Sequence, residues 1–70
     1  MASGRTMRSF IRELMIDGTI RRATDIADNV VYASRGKFYK LSVRSEIDYM
    51  RNHGQLKRVA RGRYQWPAAR

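Results

Sequence analysis

Cysteine is absent from this 70-residue chain. Neither a disulfide nor a thiolate-bound zinc ion can hold the fold together, and the core must come from packing alone. Long apolar runs are missing too. The longest uninterrupted one, Val30-Val31-Tyr32-Ala33, is far shorter than a signal core or a membrane span. The expected compartment is the cytoplasm, with no membrane contact. Histidine occurs once, as His53, the six carboxylates are dispersed, and no glycine-rich phosphate loop follows a strand. A lone His at a helix end, without Cys or a clustered partner, favours the local dipole rather than a metal or a reaction. Enzyme chemistry, a cofactor and a small-molecule substrate are therefore not expected.

Acid is the scarcest of the charges. Fifteen Lys and Arg face six Asp and Glu, a net charge of +9. The imbalance is uneven along the chain. Residues 1–35 hold six bases and four acids, residues 36–70 nine bases and two acids, and no acid follows Asp48. A solvated basic surface is one reading; a polyanionic partner is the favoured one. At 43% hydrophobic and 10% aromatic, the composition suffices for one small folded domain, 1–70, with an ordered core of about 6–67 and a frayed end at 1–5.

Met7, Phe10, Ile11, Leu14 and Met15 recur at helical spacing. They predict a first helix over Met7–Asp17, with Thr6 as N-cap and Gly18 as its stop. Ile20, Ala23, Ala27, Val30 and Val31 share one face of a second helix, expected from Ile20 to about Val31. Thr24 or Asp25 could cap a shorter version. Ser34-Arg35-Gly36 signals a turn. A third helix is expected over Ser42–His53, capped by Ser42, stopped by Gly54 and buried along Val43, Ile47 and Met50. Phe38 and Leu41 lie about 140° and 160° from Val43 and cannot join that stripe. Either residues 37–41 are extended, or one longer helix is buried on two sides at its start.

Lys57–Ala60 and Arg63–Trp66 flank Arg61-Gly62, a strong hairpin signal. A regular two-residue turn sets Val59 opposite Tyr64 and Lys57 opposite Trp66. Val59, Tyr64 and Trp66 then share a face suited to the core, and Pro67 ends the strand. Stacking of Tyr64 and Trp66 on single-stranded bases is the less favoured role for these rings.

The order helix, helix, helix, basic hairpin resembles the winged helix-turn-helix family, an α+β fold. Thr24-Asp25-Ile26-Ala27 is similar to the start of its second helix, shifted by one residue. Val43, Ile47, Met50 and Gly54 are similar to its third helix and stop. Leu56 to Tyr64 is similar to its wing. The link from Ala27 to Val43 is several residues longer than a compact helix-turn-helix needs, and residues around Ala33–Leu41 could extend a helix or add a strand pair.

The resemblance implies a double-stranded DNA partner, with the third helix in the major groove. Arg44, Ser45, Asp48, Arg51 and Asn52 would then face outward. Arg44 can bond guanine and Asn52 adenine, with Ser45 a further possible contact; local ion pairing on a solvated face is the alternative. On the wing, Lys57, Arg58, Arg61 and Arg63 would meet backbone or minor groove, with edge-strand protection as the alternative. Lys37 and Lys40 would add backbone contacts. So small a module implies a homodimer or cooperative oligomer for strong specificity. The expected role is a small transcriptional regulator or phage-type DNA-binding protein, or a recombination accessory protein. An RNA-binding module and a protein-binding inhibitor on the same scaffold are the competing roles.

Overall fold

The computed structural model describes residues 6–67; the expected frayed end at 1–5 lies outside them. The chain runs α1 (Met7–Met15), β1 (Arg21–Arg22), α2 (Ala23–Ala33), α3 (Lys40–Asn52), β2 (Lys57–Ala60) and β3 (Arg63–Gln65). The three strands form one antiparallel sheet in the order β1-β3-β2. This α+β architecture, three helices followed by a hairpin, is that of a small winged helix.

Thr6 caps α1 as its sequence position requires. Its side-chain oxygen accepts the Ser9 amide at 3.1 Å, meeting one of the donors a helix start leaves unpaired. The helix ends at Met15, two residues before the expected Asp17. Asp17 instead builds the turn into β1. Its carboxylate accepts the Thr19 amide at 2.9 Å and faces Arg21 at 3.3 Å.

The second helix departs further from expectation. It begins at Ala23, not Ile20, and neither Thr24 nor Asp25 caps it; Arg22 is the N-cap residue. Residues 21–22 are strand, their backbone paired across the sheet to Tyr64 and Arg63. A partner more than forty residues away overrides the local helical pattern, and Ile20 is left about half exposed. Within α2, Ala23, Ile26, Ala27 and Val30 are buried while Val31 is only half-buried. Ile26 belongs to the core although it was not on the expected face.

The third helix starts at Lys40, with Tyr39 rather than Ser42 at the cap position, and ends at Asn52. Phe38 stays outside it. Its ring meets Phe10 of α1 edge-on at 5.9 Å between centroids, so α1 holds the link before α3. Leu41 lies inside the helix and is 77% exposed, so burial on a second side does not occur. The long link contains no added strand: α2 runs on to Ala33 and a turn follows.

The hairpin turns at Arg61-Gly62, as its sequence predicts, with Ala60 opposite Arg63. Its register then shifts. Arg58 opposes Tyr64 and Lys57 opposes Gln65, so Val59 is an extra residue in β2 rather than the partner of Tyr64, and Lys57 does not oppose Trp66. β2 is an edge strand, where a bulge costs least and adds twist. The face reading survives in part: Tyr64 is buried, and Trp66 packs against the core half-buried.

The core joins Ile11 and Met15 of α1, the α2 stripe, Val43, Ile47 and Met50 of α3, Leu56 and Tyr64. No buried side-chain nitrogen or oxygen among the described residues lacks a partner.

Both α2 and α3 end in the same motif. After α3 the Gly54 amide donates to Arg51 and the Gln55 amide to Met50, with Gly54 at φ 75°. After α2 the amides of Arg35 and Gly36 donate to Tyr32 and Val31, but the left-handed position is Arg35, at φ 57°. A side chain there is strained by about 1–2 kcal/mol. Arg35 is exposed, so Arg35→Gly should raise stability by about 1 kcal/mol, read by chemical denaturation.

The Thr19 amide, and secondarily Arg21, hold the Asp17 carboxyl below the ordinary aspartate range. A depressed acid contributes stability above its unfolded value and loses it as pH falls through its folded one. Thermal midpoints followed from neutral to strongly acidic pH should show Asp17→Asn falling less steeply than the parent chain; equal slopes would refute the assignment.

Candidate nucleic-acid interface

The buried stripe of α3 leaves three arcs at 100° per residue. Lys40, Arg44 and Arg51 form one flank. Leu41, Ser45, Asp48 and Asn52 point away from the core, and Ser42, Glu46, Tyr49 and His53 form the other flank. The second flank is occupied from within the fold. Glu46 accepts from Arg8 of α1 at 2.7 Å, which keeps that guanidinium firmly charged, and the same Arg8 lies over the Tyr49 ring. His53 stacks on Tyr49 at 4.0 Å, and one ring nitrogen lies 2.8 Å from the Tyr49 carbonyl oxygen. The first flank borders α2. Lys40 pairs with Asp28 at 2.9 Å, and Lys40, Leu41 and Arg44 line a groove with Thr24, Ala27 and Asp28.

The hairpin tip reaches the same place from the other side. The first amide of α2, on Ala23, donates to the carbonyl of Gly62 at 2.9 Å. Arg61, Gly62 and Arg63 therefore adjoin the start of α2, whose next residue, Thr24, shares its groove with Arg44. Across the sheet Arg63 stands directly opposite Arg22. Like charges placed so are destabilising. Arg22 is relieved by Asp25 at 3.2 Å, an acid in the first helical turn.

The residues expected from sequence thus separate. Lys40 and Arg44 line the groove with Thr24, Ala27 and Asp28 of α2, and Arg61 and Arg63 flank Gly62, whose carbonyl takes the first amide of α2. Ser45 lies on the outward arc, exposed. Arg51 and Asn52 occupy the last turn of α3, and Lys57 and Arg58 the body of β2, all exposed. Lys37 sits in the link, 5.5 Å above the Phe38 ring. Sequence reasoning passed over Arg22 and Thr24. Thr24 was legible only as a possible cap; the β1–β3 pairing sets Arg22 opposite Arg63, and the groove between α2 and α3 sets Thr24 beside Arg44.

The ion pairs have a pattern. Four join described residues: Arg8–Glu46, Arg21–Asp17, Arg22–Asp25 and Lys40–Asp28. Every cation in them precedes α3 or opens it. From Arg44 to Arg63 the cations are exposed and form no ion pair among the described residues. Among those residues, no His, Cys, Asp and Glu cluster could hold a metal ion, and no helix is long and apolar enough to cross a membrane.

No family model, curated protein or solved structure matches this chain.

One bond tethers the tip. Proline suits the first position of a helix, and extended Arg22, at φ −76° and ψ 150°, suits a following proline. Ala23→Pro removes the donor to Gly62 at a cost of about 1 kcal/mol. Amide exchange should accelerate across β3 while α2 stays protected; unchanged β3 protection would show that the tip does not depend on this bond.

Proposed function

We propose that this chain binds double-stranded DNA as a small winged-helix protein, with α3 in the major groove and the hairpin tip on backbone or minor groove. One observation carries the reading: Arg44 of α3 shares a groove with Thr24, while the Arg61–Arg63 tip is bonded through the Gly62 carbonyl to the adjacent Ala23, so cations of two separate elements, none of them in an ion pair among the described residues, lie beside the start of α2. Folding gains nothing from crowding these charges, and a phosphate backbone would neutralise them.

Roles follow from position. Arg44, flanked by the outward arc of α3, is suited to bidentate bonding to guanine; Asn52 and Ser45 are the further base contacts, and Asp48 can accept from cytosine. Arg61 and Arg63 at a hairpin tip suit a narrow minor groove. Arg22 and Thr24 join Lys40 as backbone contacts, and Lys37, Arg51, Lys57 and Arg58 extend the positive field along the molecule. A module this small covers little duplex, so strong specificity requires a second copy or cooperative neighbours. A role as a cytoplasmic regulator or phage-type accessory protein fits this reading.

A second reading has its own support. Tyr39 is 79% exposed between Lys37 and Lys40, where it could stack on an unpaired base. Against it, Tyr64 is buried and Trp66 is packed on the core, so the wing offers no stacking platform.

Mobility-shift titration on duplex DNA, single-stranded DNA and RNA at several salt concentrations tests both. Duplex DNA is expected to bind best. Neutralising about five phosphates gives a log–log salt slope of about −4 to −5. Arg61→Ala with Arg63→Ala should weaken all duplex sequences alike and flatten the slope, whereas Arg44→Ala should change the preferred sequence. Equal affinity for the three polymers would reduce the interaction to charge attraction, and preference for RNA would select the second reading.

A further inference from the structure

Leu41 has no role in the core. It is 77% exposed in the first turn of α3, and its direction lies about 160° from that of buried Val43. An exposed leucine forgoes most of the gain its burial would bring. Its position is also chemically specific. Ser45 and Asp48 share its outward arc, and Lys40 and Arg44 flank it along the groove beside Thr24 and Ala27.

We infer that Leu41 is a specificity-determining residue that packs on the 5-methyl group of thymine in the major groove. The inference rests on the DNA-binding reading above and deepens it. The first turn of a recognition helix is where side chains reach base edges. In that groove thymine alone among the four bases presents an apolar group, and an aliphatic side chain is its natural partner. The surroundings favour a duplex over a second copy of this chain. Lys40 is balanced by Asp28, but Arg44 borders Leu41 along the groove and forms no ion pair among the described residues, so a symmetric self-contact there would bring like charges together, whereas a duplex brings phosphates. Leu41 would then discriminate by contact alone while Arg44 and Ser45 supply hydrogen bonds to neighbouring positions.

Removal of one methyl group isolates the contact. The parent protein first selects a duplex from a random pool. That duplex is then made with deoxyuridine in place of thymine, one position at a time, which deletes the methyl and keeps the pairing. The parent should lose about fourfold in affinity at one position or more, the worth of one buried methyl. Leu41→Ser should bind the thymine and uracil forms equally, which also controls for any change in duplex stiffness, and Leu41→Met should keep the discrimination. Because Leu41 is exposed, Leu41→Ser should retain the parent's thermal midpoint. Sequence-dependent binding by a parent indifferent to every methyl would overturn the inference and leave the DNA-binding reading standing, as would a Leu41→Ser protein that still discriminates. Absence of any duplex binding would overturn both. A dimer seen by sedimentation in the parent and lost in Leu41→Ser would assign the residue to self-association instead and overturn the inference.

Discussion

Self-repulsion is the constraint on this molecule. Nine excess positive charges sit on 70 residues, and no cysteine is present to cross-link them. The opposing force is a core of eleven buried apolar side chains among the described residues, drawn from all three helices and the hairpin. So small a core leaves little surplus stability. The placement of the acids follows from this. Among the described residues, Asp17, Asp25, Asp28 and Glu46 pair with cations of α1, β1 or the start of α3, where the elements must stay together. Each exposed pair contributes little by itself. Their larger effect is to cancel charge on the framework and leave it standing on α3 and the hairpin.

Two short backbone features turn that arrangement into a surface. β1 is two residues long, yet it pairs with the central strand, and the next amide closes on the hairpin turn. The wing is thereby held against the start of α2 rather than projecting freely. Phe38 does the corresponding work for α3 by docking on Phe10, so the helix begins at Lys40 with Leu41 and Arg44 in its first turn and a half. Between them these contacts set two charged segments, about twenty residues apart in sequence, against α2.

The parts of the fold legible beforehand were those with local causes. The periodicity of Met7–Met15, the Thr6 cap, the stripe of Val43, Ile47 and Met50, and the Arg61-Gly62 turn each follow from neighbours within a few residues. The errors share the opposite cause. Ile20–Arg22 has a helical pattern but finds its hydrogen bonds on β3. Val59 has the alternation of a regular strand but becomes a bulge in the edge strand, where an unpaired residue disturbs only one ladder. Of the candidate interface, the basic residues themselves were legible, while their grouping was not, and Arg22 carried no local mark.

Composition and periodicity alone settled the sign and uneven distribution of charge, the number of helices, the hairpin turn and the apolar faces of α1 and α3, because these depend on residue type and short-range geometry. Tertiary structure alone decided where α2 and α3 begin, that Arg8 and Lys40 pair with acids of other helices, that the hairpin tip adjoins the start of α2, and that Leu41 faces outward. Those outcomes rest on contacts between residues a dozen or more positions apart, and such contacts form only when the three helices close on their common core.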